Sequence, residues 1–378
     1  MKDEARNILA RYRLCDSCLG RQFAGRSTGQ TNRQRGAALR RLLQAPPCQG
    51  TCQLCGGIFQ ADLEHWSRMA IRQLCRVKYA TFVVGSRPGP RVTDLEERIA
   101  QYLPPGSAEP LKSEFNREVG KLLWRRTCRR VDWKQPDVLV LFDLVRGCVA
   151  LEITPLFIFG RYRKLVRTIP QTRWRRFRSS VEQIIAAPLM RASRGTAHAL
   201  HGAGREDIDV RCLGWRPFVL EISRPMRRQL HLARIERIIN RSRRVKVHGL
   251  QPTTRDRVAA VKADRHDKTY RVRVRLDRPF RTEDVDCLQS LAGVIRQETP
   301  MRVVHRRTDM ARQRTLKRIA CRQVAADTLD IDLTAEAGLY IKELVTGDDG
   351  RTRPSLADVL GCKTEVLTLD VLRIHRAG

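Results

Sequence analysis

Nowhere in these 378 residues does an apolar run approach the roughly 18 residues that a membrane-crossing helix needs, and residues 1–14 hold no apolar block of the kind an export signal carries. The expectation is a cytoplasmic chain with no membrane partner. Acidic residues are scarce: 40 Asp and Glu stand against 73 Lys and Arg, a net charge of +33. A molecule so charged attracts polyanions at long range, and nucleic acid is the default partner. Aromatic residues make up only 6%, so phosphate and shape recognition are expected to outweigh base stacking over most of the surface. No Gly-rich nucleotide loop and no phosphate-binding loop occurs, which argues against enzymes that need a bound nucleotide or nucleotide-like cofactor.

Most of the twelve cysteines, such as Cys75, Cys148 and Cys212, lie singly in apolar segments and read as small core residues. Four differ. Cys15 and Cys18 form one C-x-x-C, Cys52 and Cys55 another, and Gly20 and Gly56 follow the two pairs. Two such knuckles supply the four thiolates of a tetrahedral structural zinc, with 33 residues closing the loop between them. A redox dithiol would explain one pair and not the second. Cys48 is left out because two pairs already fill four positions.

Residues 32–44 and 62–75 have helical spacing, the second with Leu63, Trp66, Ala70 and Leu74 on its apolar side. Lys78 to Gly85 reads as a strand. Ser113 to Arg126 reads as a helix capped by Ser113, with Phe115, Val119 and Leu122 on one face. Residues 136–153 read as a buried hairpin around Arg146 and Gly147. Residues 160–177 interleave Arg161, Arg163, Lys164, Arg167 and Arg173 with Tyr162, Trp174 and Phe177, a pattern suited to phosphates and exposed bases. Residues 268–276 alternate strictly: Tyr270, Val272, Val274 and Leu276 on one face, and Arg271, Arg273 and Arg275 on a face for RNA or solvent. Residues 299–314 begin like a strand and carry His305 and Arg306.

His201 to Ile222 is the stretch richest in chemistry. Gly202 and Gly204 allow tight turns, and Arg205, Glu206, Asp207, Asp209 and Arg211 follow before an apolar strand-like run. By residue type alone this is either an active-site loop or a solvated, salt-bridged turn.

The wider pattern resembles the tenth pseudouridine synthase family. HGAGREDIDVR (201–211), KTYRVRVRL (268–276) and AGLYIKELVTGDDGRTRPS (337–355) occur in the family's order, and 113–123, 155–174 and 180–185 match its upstream half. The resemblance implies an α+β fold: a zinc-binding segment at 1–60, a THUMP-like RNA-binding domain at 61–190, and a catalytic domain at 191–378 with a mixed, largely antiparallel sheet flanked by helices. It implies isomerisation of uridine 54, uridine 55 or both in the T loop of tRNA, with no organic cofactor and no obligate protein partner. Asp207 would be the catalytic carboxylate, with Asp209 its internal competitor. Arg205 or Lys342 would hold it ionised, Leu344 would pack nearby, and Tyr270 would meet the flipped base. Arg306 would contact RNA. The cysteine-rich insert of some members is replaced here by residues 175–179, so no second metal site is expected. A non-catalytic zinc-containing tRNA- or rRNA-binding protein is the competing reading; it leaves the ordered Asp, Tyr and YIK motifs without a use.

Overall fold

Where the sequence alternates with period two the backbone is a strand, and where it repeats every three to four residues it is a helix, in a computed structural model that describes residues 1–26, 29–306 and 308–375. Two compact units result: 1–154 with 224–228, and 155–223 with 229–378.

The first unit contains α1 (Lys2–Arg11), α2 (Asp16–Gly20), α3 (Asn32–Leu42), α4 (Glu64–Leu74), β1 (Thr81–Arg87), α5 (Pro90–Ala100), α6 (Leu111–Thr127), β2 (Arg130–Val131), β3 (Val138–Asp143) and β4 (Cys148–Ile153). The strands lie in the order β2-β1-β3-β4, parallel except for the β3–β4 hairpin. One core runs from Ala5 and Ile8 through the cysteine pairs to Phe115 and Phe142, so residues 1–60 share their interior with the sheet that follows. α6 starts at Leu111 behind Pro110, which places Ser113 inside the first turn rather than at the cap. Its buried row is Leu111, Phe115, Val119 and Leu123. The expected buried hairpin is buried only in β3; β4 is the edge strand, alternately exposed. At the α2–α3 crossing a Cβ on Gly20 would stand 1.8 Å from the Asn32 carbonyl oxygen, so only glycine permits the approach.

The second unit is built on ten strands: β5 (Leu156–Lys164), β6 (Ala197–Gly202), β7 (Val210–Ser223), β8 (Val245–Thr253), β9 (Lys268–Leu276), β10 (Gly293–Gln297), β11 (Arg312–Ala325), β12 (Thr328–Ala335), β13 (Thr352–Arg353) and β14 (Thr364–Ile374). Their order is β13-β10-β11-β12-β9-β14-β7-β5-β8, with β6 on β7. Only β14 and β7 pair in parallel. α7 (Val181–Ser193) and α8 (Leu232–Ile239) cover one face of β5, β7 and β8. α9 (Asp256–Ala263) covers the other through Val261, against Phe157, Phe159 and Val219. α10 (Asp284–Ser290), α11 (Ile341–Thr346) and α12 (Leu356–Leu360) complete the core around β9 and β14.

Residues 155–190, expected with the RNA-binding domain, stand in the second unit, because β5 is an interior strand between β7 and β8 and α7 packs on the same sheet. Residues 299–314 do not begin as a strand: after Pro300, which offers no ladder donor, Met301–Arg306 forms a 3-10 turn, and pairing starts at Arg312. β9 alternates as its sequence requires. Its arginine face, however, meets carboxylates: Arg271 donates to Asp332 at 2.7 and 2.8 Å, Arg273 to Asp330 at 2.7 and 2.9 Å, and Arg275 pairs with Glu365. Cross-strand ion pairs of this kind fix register and remove those arginines from the pool open to RNA.

Candidate active site and metal centre

The four cysteines converge. Their sulfurs are buried and lie within 4.8 Å of one another, and Cys15 Sγ is 3.8 Å from Cys55 Sγ. Tetrahedral thiolates at the zinc–sulfur distance stand about 3.8 Å apart, whereas all four cysteines here are free of disulfides. The donor set fits a thiophilic metal ion. Each pair sits on a tight turn: Cys15 caps α2 and accepts from Leu19 N, and Cys52 O accepts from Gly56 N, where Gly56 has φ +58°. Cys48, left out on sequence grounds, lies outside the cluster, within 3.9 Å of Gln60 Nε2. Arg21, wholly buried, donates to Cys18 Sγ at 2.9 Å and pairs with Glu114 at 3.4 Å. A divalent ion on four thiolates carries a net charge of −2, and this guanidinium offsets part of it. Chelation is therefore expected to release one metal ion per chain and to lower the unfolding midpoint of the first unit. Elemental analysis with a melting curve tests this; a midpoint unmoved after the metal has left would show a core that stands without it.

The loop 203–209 joins β6 to β7 over a buried polar floor. Lys164 on β5 donates to the carbonyls of Asp207 at 3.0 Å and Ile208 at 2.9 Å. Gln171 Nε2 donates to the Gly204 carbonyl at 3.0 Å and to Tyr162 Oη at 2.8 Å. Arg216 Nη1 donates to the Ala203 carbonyl at 2.7 Å, and its Nε stands 3.0 Å from the buried Glu206 carboxylate. Glu206 also accepts from Tyr162 Oη at 2.9 Å. With Glu206 turned inward, its neighbours Arg205 and Asp207 turn outward.

Asp207 Oδ2 lies 2.9 Å from Arg302 Nη1 and 3.6 Å from Lys342 Nζ, with its side chain 40% exposed. Arg302 is braced from behind by Glu343, buried, at 2.5 Å. Lys342, on α11, favours Asp209, donating to its two oxygens at 2.9 and 2.7 Å. Partial burial works against the Asp209 charge, but the Lys342 hydrogen bond and charge hold its carboxyl below the usual range.

Of the expected residues, the structure thus brings Asp207, Asp209 and Lys342 together. Arg205 does not join them: it is exposed and has no hydrogen bond or ion pair among the described residues. Sequence reasoning missed Arg302 and Glu343, since the segment holding Arg302 reads as a strand start and the YIKEL motif draws the eye to Lys342. Tyr270 lies in the β9 core row, only 8% exposed, and burial pushes its hydroxyl up to about 12. Leu344 is wholly buried in the same core, so it supports α11 from within.

The phosphate-binding candidates divide. Lys164 is corrected outright: its amine is buried under the loop, burial depresses its pKa, and no phosphate can reach it. Arg163 stacks 4.2 Å from the Trp215 ring centre, and Arg167 donates to Asp370 at 2.6 Å. Arg161 lies beside the Phe159 ring. Arg173 is exposed, followed by exposed Trp174, Arg175, Arg176 and Arg178. The open basic part of this segment is therefore 173–178, since 161–164 is interior strand. Arg306 ends the 3-10 turn, and its side chain lies outside the described residues.

Residues 157–375 match the family model described as Pus10, C-terminal, and residues 66–143 the Pus10 THUMP domain, archaeal. A protein of Methanothrix thermoacetophila named tRNA pseudouridine synthase Pus10 is 36% identical, over 96% of this chain and 91% of that one. The protein of that name from Pyrococcus furiosus is 37% identical, over 98% and 97%, and that of Methanopyrus kandleri 35% identical, over 100% and 99%. Full-length similarity of this order makes the chain an enzyme of the isomerase class, a pseudouridine synthase. Within that class it belongs to the Pus10 family and carries the family's archaeal THUMP domain.

Proposed function

We propose that this enzyme isomerises uridine 54, uridine 55 or both in the T loop of tRNA, with Asp207 as its catalytic carboxylate. The observation that carries the reading is the Asp207 carboxylate, half-exposed at the mouth of β7 and held by Arg302 and Lys342 while its own backbone carbonyl is tied down by Lys164. The reaction breaks the bond from ribose C1′ to uracil N1 and forms one from C1′ to C5. The C5 proton leaves and N1 gains one, so atoms and electrons balance without an organic cofactor. Asp207 acts either as nucleophile or as acceptor of a ribose proton. A T-loop uridine must leave its stack to reach the loop, and Tyr270 supplies the ring beneath it. Zinc, held by Cys15, Cys18, Cys52 and Cys55, keeps the first unit folded and takes no part in the chemistry. Exposed Arg173 contacts the RNA, and Arg161, Arg163 and Arg167 shape the wall behind.

Carbodiimide labelling and primer extension on an unmodified tRNA transcript test the reading: a stop at 54 or 55 after incubation supports it, and tight binding with no stop anywhere in the T loop overturns it. Arg302→Ala is expected to slow turnover about 100-fold, having lost a charge-assisted hydrogen bond to the reacting carboxylate. Arg205→Ala should stay within about twofold when turnover is read as tritium released from C5-labelled tRNA, because this side chain holds nothing in place.

A further inference from the structure

Five arginines on and after α8 are exposed with no ion pair among the described residues: Arg234, Arg237, Arg241, Arg243 and Arg244. Along β9 and the turn after it the second unit pairs its arginines closely with acid, as Arg271, Arg273 and Arg278 show. Here it does the opposite. Between residues 222 and 255 the only carboxylate is Glu236, and it is turned away from its arginine neighbours to accept from Leu250 N at 3.1 Å and to lie 3.7 Å from His248.

Arg234 and Arg237 are three residues apart on α8 and so share a side of it, and Arg241 stands four residues on, in the turn that continues the helix, where its N–H donates to the Ile238 carbonyl at 3.2 Å. The opposite side of the helix, Ile235 and Ile239, is locked into the core against α7 and β8. The turn that carries the last arginines is fixed as well. Asn240 Nδ2 donates to the Val247 carbonyl at 2.9 Å and Asn240 Oδ1 accepts from Val247 N at 2.7 Å, while Ser242 Oγ accepts from Arg244 N at 3.1 Å. A row of guanidiniums without counter-charge, on a backbone already ordered, binds an extended polyanion at little further entropic cost.

We infer that the α8 stripe, Arg234, Arg237 and Arg241 with the following turn, is a phosphate-backbone contact of the RNA substrate, made outside the Asp207 loop. The inference rests on the reading of the protein as a tRNA-modifying enzyme. A phosphate track differs from base recognition in one measurable way: each neutralised phosphate releases counterions, so log affinity falls with log salt by about 0.7 to 0.9 per contact.

The test is binding of an unmodified tRNA transcript over a salt series, with wild type and the triple variant R234A/R237A/R241A. The triple is expected to bind weakly at low salt, with a slope shallower by about two to three. The single-turnover rate at saturating tRNA should stay at the wild-type value. The variant R234K/R237K/R241K, which keeps the charge, is expected to regain most of the slope, separating a lost phosphate contact from a misfolded helix. A wild-type slope and affinity in the alanine triple would overturn the inference and leave the stripe to another acidic partner or to solvent. A slope that the lysine triple fails to restore would overturn it too. Wild-type protein that binds tRNA through the stripe but forms no pseudouridine would instead overturn the T-loop reading alone.

Discussion

Asp207→Ala is expected to release almost no tritium from C5-labelled tRNA, a fall of about 10⁴-fold or more, while its affinity for the transcript stays near that of wild type. That is the result expected if this carboxylate does the chemistry, because no neighbouring group can take its place at the same point in space. Asp209 is the nearest contender, and the environments of the two differ. Asp209 is 66% exposed and spends both oxygens on Lys342, whereas Asp207 is anchored through its backbone by Lys164 and through its carboxylate by Arg302. Asp209→Asn is expected to lose no more than about tenfold, since Lys342, 3.6 Å from Asp207, remains to pair with it. An inactive Asp209→Asn beside an active Asp207→Ala would exchange the two assignments.

The second large effect concerns Glu206, which touches no substrate in this reading. Its carboxylate and the Arg216 guanidinium are almost wholly buried, 3.0 Å apart, and Tyr162, Gln171 and the Ala203 carbonyl complete the network. Removing one member of a buried pair strands the other charge in a medium that cannot solvate it, at about 3–5 kcal/mol. For a unit of this size that corresponds to a melting point lower by roughly 10 °C in Glu206→Ala. The double variant Glu206→Leu/Arg216→Met, with no charge left to bury, should recover much of the loss. A single variant melting within a degree of wild type would mean that water reaches the pair. The same substitution is expected to slow catalysis, because the loop carrying Asp207 would lose its floor.

How far the sequence foretold this depends on whether a signal is local. Two C-x-x-C pairs declare their geometry through the chemistry of four thiols, and β9 shows its two faces by alternation alone. The loop 203–209 was visible from its glycines and charges. Its wiring was not: Glu206 and Asp207 are adjacent carboxylates of the same character, and which turns inward is decided by Arg216, Tyr162 and Lys164, contributed by β7 and β5. Lys164 looked like a phosphate ligand because it lies among arginines, yet β5 is an interior strand and its even positions face the core. Arg302 stayed hidden because nothing in its neighbourhood marks a residue whose partners, Asp207 and Glu343, lie 95 residues before it and 41 after it. Resemblance, in turn, supplied the order of the motifs but set the domain boundary some 35 residues late, where a strand joins its sheet across a long separation.

The position of β14 has a consequence for biosynthesis. This late strand lies in the middle of the sheet, parallel to β7 through Leu369, Asp370 and Val371 and antiparallel to β9, and Asp370 gathers Arg211 and Arg167 across the seam. A nascent chain that has not yet emerged past residue 364 holds two half-sheets, β5 to β8 and β9 to β13, with no strand to join them. The carboxylate of Asp207 belongs to the first half and the cations of Arg302 and Lys342 to the second. If Asp207 is the catalytic carboxylate, a product truncated before residue 364 is expected to be silent rather than partly active, because the strand that brings the two halves of its site together is missing.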